Sequence, residues 1–347
     1  MRPDLVVPPP VAPGDRVAVV SPAYAAPGAF PHVHERAMQR LRDDLGLVPV
    51  EYPTTRQLGA SPAERAHDLV AALADPTVRA VLATIGGDDL ITVVPLLDPA
   101  VVRADPKPFL GYSDGTNLLA RLWDCGVVGY HGGSTMVHLG RAGGLHPVSA
   151  RSLRAALFDR GDLELHPVDA FSEDEQDWGD PASLDRPAPL LPSPGWTWHR
   201  PTTALTGPTW GGNLEILHWM AAADRLRPVD DLAGCVLLLE TSEEMPSAVE
   251  VFRMLRNLGE RGLLAQFPAV VVGLAKATAL DAPRPLPERQ RYRDDQREAV
   301  LDALARYAPD ATVVLDVDLG HTDPQWVLPY GGAVTVDGPA RRLVAHF

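Results

Sequence analysis

Apolar strand-like runs alternate with helix-like segments through the first third of the chain, and this alternation restricts the fold more than any other feature of the sequence. Asp15-Arg16-Val17-Ala18-Val19-Val20 reads as a buried strand ending at the turn Ser21-Pro22. Ala37, Leu41 and Leu45 then recur at four-residue spacing and stop at Gly46, a helix C-terminal signal, ahead of a strand-like Leu47 to Tyr52. The clearest helix start is Ser61-Pro62-Ala63-Glu64, where an N-cap serine, a proline at the first helical position and a glutamate at the third make a capping box. That helix is expected to run to Asp75-Pro76. Val78 to Ile85 reads as the next strand, broken by Gly86-Gly87-Asp88-Asp89; Leu90 to Leu97 reads as a short helix and Phe109 to Tyr112 as a further strand. Strand, helix and strand in repeat predict an α/β fold with a flavodoxin- or Rossmann-like parallel sheet, whose ligands gather beyond the carboxyl ends of the strands.

At 347 residues the chain exceeds the size at which one hydrophobic core stops growing, so two domains are expected. The sequence divides into residues 1–168, an acidic and proline-rich linker or lid over 169–201, and a second half over 202–347. The linker opens with Asp169-Ala170-Phe171-Ser172-Glu173-Asp174-Glu175-Gln176-Asp177-Trp178, which lacks periodicity. In the second half, strands are expected from Cys235 to Leu239, Ala269 to Leu274 and Thr312 to Val317, with short ones around Ala333 to Val336 and Leu343 to His346. Helices are expected from about Ser247 to Leu258 and Glu288 to Tyr307. No internal repeat is present.

A formal net charge of −14 argues against a surface that wraps nucleic acid, which needs a basic patch. It does not exclude a small nucleotide held in a pocket. Cys125 and Cys235 each lie beside a glycine and an apolar run, which predicts buried, reduced thiols, and with no His/Cys cluster or His-Glu-x-x-His run neither a metal nor a cofactor is expected. The N-terminal run breaks at Pro8-Pro9-Pro10 before any signal-like apolar region forms, and no stretch approaches membrane-spanning length. A cytoplasmic protein without a membrane partner is the expectation.

Gly111-Tyr112-Ser113-Asp114-Gly115 stands between the strand Phe109-Leu110 and the helix-like Thr116 to Trp123. A serine between two glycines at a strand-to-helix turn is the nucleophile-elbow pattern, in which small flanking residues tolerate a tight backbone that pushes the hydroxyl into a cleft. The same turn aims backbone N–H groups at an oxyanion on the substrate. An ordinary strand end with Ser113 as helix N-cap remains the alternative. A serine attacks poorly without a base, and the base works best when a carboxylate fixes its tautomer. Of eleven histidines, His321 alone sits in a loop directly after an apolar strand, flanked by Gly320 and Thr322-Asp323-Pro324. Glu240 ends Val236-Leu237-Leu238-Leu239 and precedes Thr241-Ser242-Glu243-Glu244. Capping for Glu240 and simple solvation for His321 are the competing roles.

With these surroundings, from Pro13-Gly14-Asp15-Arg16 through Ser21-Pro22 to Gly320-His321, nearly the whole chain resembles the serine peptidase family S66, the LD-carboxypeptidases of murein recycling and the microcin C immunity proteins. The resemblance implies an N-terminal α/β domain, a smaller C-terminal domain with the site between them, and a homodimer. It implies Ser113 as nucleophile, Glu240 and His321 as its partners, and an oxyanion hole from the backbone of Asp114 and of Gly86-Gly87. The chain order Ser, acid, His also fits an α/β-hydrolase. The additional Gly-Gly turn one strand before the elbow, and partners lying in a separate half, disfavour that fold.

Within the family, Thr84-Ile85-Gly86-Gly87-Asp88-Asp89 and Gly211-Gly212-Asn213-Leu214 resemble the immunity branch more than the murein branch. This likeness implies hydrolysis of the amide-like bond between a peptidyl or aminoacyl carboxyl and a nucleotide, with a loop tryptophan stacked on the base. Trp178 is the candidate, with Trp196, Trp198 and Trp210 as rivals; Asp88 and Asn213 are further candidate substrate contacts. Gly115, Asn117 and His131-Gly132-Gly133 depart from the residues usual in relatives, which bears on pocket shape. The expected partner is a small peptide or peptidyl-nucleotide substrate. A murein tetrapeptide LD-carboxypeptidase and a non-catalytic two-domain ligand-binding protein are the alternatives.

Overall fold

The computed structural model describes residues 3–347, and its alternating first third forms a parallel sheet as the sequence predicts. Four connections run parallel: Val48–Glu51 beside Arg16–Val20, then Val78–Ala83, Phe109–Gly111 and Gly129–His131. Helix Pro31–Asp43 buries Ala37, Met38 and Leu41 against this sheet's core, the four-residue periodicity of the sequence made physical. Helix Pro62–Ala74 begins with the expected capping box: Ser61 Oγ accepts from Glu64 N at 3.3 Å while Ser61 N donates to Glu64 Oε2 at 2.8 Å.

The expected helix over Leu90 to Leu97 is instead two 3₁₀ turns, Leu90–Thr92 and Val94–Leu96. Pro95 explains the break. It has no N–H to donate and it disfavours helical backbone at the residue before it.

The second sheet has eight strands in the order Asp162–Leu165, Arg342–His346, Ala333–Asp337, Ala204–Asn213, Val236–Glu240, Ala269–Gly273, Thr312–Val317 and Thr197–His199. Its centre, from Ala204–Asn213 to Thr312–Val317, is parallel, and the flanking pairs are antiparallel. The two sheets exchange strands. Asp162–Leu165, from the first half, closes one edge of the second sheet, and Leu328–Tyr330, from the second half, pairs with Gly129–His131 at the edge of the first. A shared apolar core reinforces the exchange: Leu118, Leu122 and Trp123 pack in one cluster with Trp210, Leu214 and Tyr330. Such continuity fixes the cleft between the sheets, because neither layer can shift without opening buried apolar surface.

The acidic stretch is not loosely tethered. Glu173 is buried and its carboxylate accepts from Arg293 Nη1 at 2.9 Å and from the backbone N–H of Ala277 at 2.9 Å. Ser172 and Asp323 exchange backbone hydrogen bonds of 2.7 and 2.8 Å. Among the described residues no helix is long and apolar enough to cross a membrane.

Candidate active site

Ser113 follows the strand Phe109–Gly111 with a φ of 59°, a left-handed value that is uncommon for a side chain with a Cβ and persists where the surroundings enforce it. The enforcement is local: Ser113–Gly115 forms a 3₁₀ turn, Gly115 N donates to Tyr112 O at 2.9 Å, and helix Thr116–Asp124 continues from it. Asp114 locks the elbow to the preceding glycine turn. Its Oδ2 accepts from Leu90 N at 2.9 Å and its Oδ1 from Asn117 Nδ2 at 2.8 Å, while burial pushes its carboxyl pKa up to about 6. Gly86 lies directly on the elbow; a Cβ there would stand 3.0 Å from both Cβ and Oγ of Ser113 and 3.3 Å from Asp114 N. Glycine is needed for that approach. The Gly86 turn and the backbone N of Asp114 thus lie beside the serine.

Glu240 ends the buried strand Val236–Glu240, and His321 stands four residues beyond Thr312–Val317 in the same sheet. His321 Nδ1 donates to Glu240 Oε2 at 2.6 Å, with side chains only 8% and 1% exposed. The histidine loop is braced from the first half: His131 Nε2 contacts Leu319 O at 3.1 Å, and Gln325 Nε2 donates to Gly320 O at 2.8 Å while its Oε1 accepts from Gly133 N at 3.1 Å. Tyr112, adjacent to the serine, lays its ring 4.9 Å from the imidazole. Ser113 and His321 therefore line one cavity of about 630 Å³, with Glu240 behind the imidazole.

The second imidazole nitrogen faces a further carboxylate. His321 Nε2 lies 3.1 Å from Glu243 Oε2. Burial pushes the imidazole pKa down, but the carboxylates of Glu240 and Glu243 push it up further, to about 9. His131 and His138 sit nearby with pKa values lowered by burial, His138 to about 4, so both are neutral at physiological pH.

Asp88 and Trp178 line the cavity, Trp178 half-buried and edge-on to Phe30 with centroids 5.6 Å apart. Trp210 and Asn213 do not. Trp210 is 1% exposed and stacked on Phe267 at 6.0 Å, because its strand is covered on both faces. Asn213 is the N-cap of helix Leu214–Ala222, its Oδ1 accepting from Ile216 N at 3.0 Å. Trp196 and Trp198 pack against the second sheet's core, Trp196 donating to Asp318 Oδ2 at 3.0 Å. The cavity also carries residues that the sequence did not single out: Glu243, Arg141 and Lys276. Arg141 pairs with Asp323 at 2.6 Å and Lys276 with Glu175 at 2.5 Å. Only the spacing of three between Glu240 and Glu243 hinted at any of them.

Two α/β layers that exchange strands, with Ser113 at a left-handed turn and a carboxylate-held His321 lining one cleft, define a two-domain α/β architecture. The chain belongs to the LD-carboxypeptidase family, peptidase S66: residues 17–132 match the model of its N-terminal domain and residues 206–336 that of its C-terminal domain. A Vibrio cholerae protein bearing a carboxypeptidase name is 26% identical over 93% of this chain and 92% of its own length. The microcin C7 self-immunity protein MccF of Escherichia coli is 24% identical over 79% of this chain and 75% of its own. Among solved structures, an MccF-like protein from Streptococcus pneumoniae in complex with AMP superposes with a TM-score of 0.83 at 25% identity, covering 96% of this chain and 99% of that one. MccF in complex with glutamyl sulfamoyl guanosine superposes with a TM-score of 0.82 at 21% identity, covering 98% of each chain.

Proposed function

We propose that this chain is a serine hydrolase that cleaves the amide-type bond between an aminoacyl or peptidyl carboxyl and a nucleotide-like leaving group. The observation that carries the reading is the 2.6 Å Glu240–His321 contact in the cleft that holds Ser113. In the proposed reaction Ser113 Oγ attacks the carbonyl carbon and its proton passes to His321 Nε2. Glu240 keeps the other nitrogen protonated and stabilises the imidazolium. The oxyanion is held by backbone N–H groups of Asp114 and of the Gly86-Gly87 turn. Collapse returns the proton to the leaving nitrogen and leaves an acyl-serine, which water then hydrolyses by the same route in reverse.

The nucleotide-like leaving group rests on two supports. A half-buried indole, Trp178, stands at a cavity of about 630 Å³, within the usual range for small-molecule sites. In addition, the relatives of this fold include MccF structures carrying aminoacyl sulfamoyl nucleosides. A murein LD-carboxypeptidase would have to hold a terminal carboxylate, and both cations lining the cavity, Arg141 and Lys276, already have acidic partners. Assay of an aminoacyl sulfamoyl-adenosine beside an LD-linked tetrapeptide tests the choice: turnover of the first is expected, and turnover of the tetrapeptide alone would contradict it.

A further inference from the structure

In the resting cleft His321 is a poor base. Its Nδ1 serves Glu240, and the Glu243 carboxylate lies 3.1 Å from Nε2 without a hydrogen bond, so two negative charges favour the imidazolium, which has no lone pair for the serine proton. The loop that holds Glu243 is firmly braced. Ser242 donates through N and Oγ to Glu215 Oε1 at 2.9 and 2.7 Å, Met245 sits at a φ of 50°, and Pro246 O accepts from Tyr292 and Gln296 at 2.9 and 2.8 Å. The Glu243 side chain itself is 51% exposed and borders the cavity. It can therefore swing while its backbone stays in place.

The charge around it says what would draw it away. Lys276 and Arg141 are committed to Glu175 and Asp323, whereas Asp88 and Asp177 line the cavity with no basic partner among the described residues. A cationic group placed beside Glu243 meets an excess of carboxylates.

We propose that Glu243 is a specificity-determining residue that selects acyl groups bearing a free ammonium near the scissile carbonyl, because such a group takes the Glu243 carboxylate and releases His321 Nε2 to Ser113. The inference rests on the serine-hydrolase reading above. A substrate whose amine is acylated, as in the peptidyl form, leaves Glu243 beside the imidazole and is turned over more slowly than the aminoacyl form. The groups that set the protonation of His321 are Glu240 and Glu243, which raise its pKa, and Lys276, which lowers it; Tyr112, His131 and His138 pack around it without negative charge at neutral pH.

The test is a matched pair of aminoacyl sulfamoyl-adenosines, one with a free α-amine and one N-acetylated, with the wild type, Glu243→Ala and Glu243→Gln. The wild type is expected to favour the free amine in kcat/KM by at least about tenfold, the worth of one charge-assisted hydrogen bond. Both variants should lose most of that preference, partly because the acetylated substrate improves, and the acid limb of their pH profiles should move to lower pH. A preference unchanged in both variants overturns the proposal. Fluorophosphonate labelling of Ser113 at pH 7 supplies a second readout that needs no substrate: Glu243→Ala should label faster than wild type, and equal rates overturn the latch. Labelling in neither protein overturns the serine-hydrolase reading itself.

Discussion

Glu240 Oε2 accepts the Nδ1–H of His321 at 2.6 Å, and the carboxylate that does so is 1% exposed. A buried carboxylate of this kind is stabilised almost wholly by its partner, so the pair fixes both the tautomer and the direction of the ring. Glu240→Gln keeps the shape and loses the charge. It is expected to lower kcat by about 10⁴-fold with little change in KM, as loss of the orienting acid does in serine triads. Steady-state kinetics on a purified, folded variant check this; a loss below tenfold would mean that Glu240 is only structural.

The two carboxylates also set the pH response. His321 must be neutral to take a proton, and its pKa stands at about 9 instead of the ordinary 6.5. Activity of the free enzyme should therefore rise with pH well beyond 7, with the acid limb of kcat/KM centred far above 6.5. The linked stability has the opposite slope: a raised folded-state pKa stabilises fully below about 6.5 and that contribution is lost as pH climbs through about 9. A pH series of Tm for wild type against His321→Gln reads this difference, which should shrink across that interval.

Gly86→Ala places a Cβ 3.0 Å from the Ser113 side chain. The serine must give by a few tenths of an ångström, less than the displacement of about 1 Å that costs about 10²-fold, so a fall of about tenfold is expected. Loss of kcat with retained Tm is the expected outcome, and unchanged kcat would show that the glycine turn does not bound the reacting position.

Much of this site was legible in the chain and part of it was not, for physical reasons. Ser113, Glu240 and His321 each follow an apolar strand, a local signal that survives without knowledge of tertiary contacts. The capping box at Ser61 is equally local. Pro95 stands inside an apolar run whose pattern reads as one helix, and the proline divides it into two turns. Trp210 and Asn213 misled because flanking glycines give no indication that one side chain enters the core and the other caps a helix. Leu328–Tyr330 is too short to carry a period, so the strand exchange left no trace in the sequence. Glu173 meets Arg293, 120 residues away, and Glu243 turns back onto His321; both depend on packing that no window of sequence contains.

Trp178 borders the cavity with its indole edge-on to Phe30. Trp178→Ala is expected to reduce kcat/KM for nucleotide-linked substrates by about 1–3 kcal/mol, the usual cost of one lost base–aromatic stack. Simple peptide amides offer no base and should change little. Equal losses on both classes, or a large fall in Tm, would assign Trp178 to closure of the acidic segment instead.

The most direct measurement is intact-protein mass spectrometry after treatment with a fluorophosphonate, followed by peptide mapping, on wild type, Ser113→Ala, His321→Ala and the double variant. The account predicts a single adduct on Ser113 in wild type, none in either single variant, and hydrolysis lowered by about 10⁶-fold in each single variant with the double variant scarcely worse, since members of a triad act as a unit. An adduct on another residue, or hydrolysis by Ser113→Ala at the wild-type rate, would contradict it.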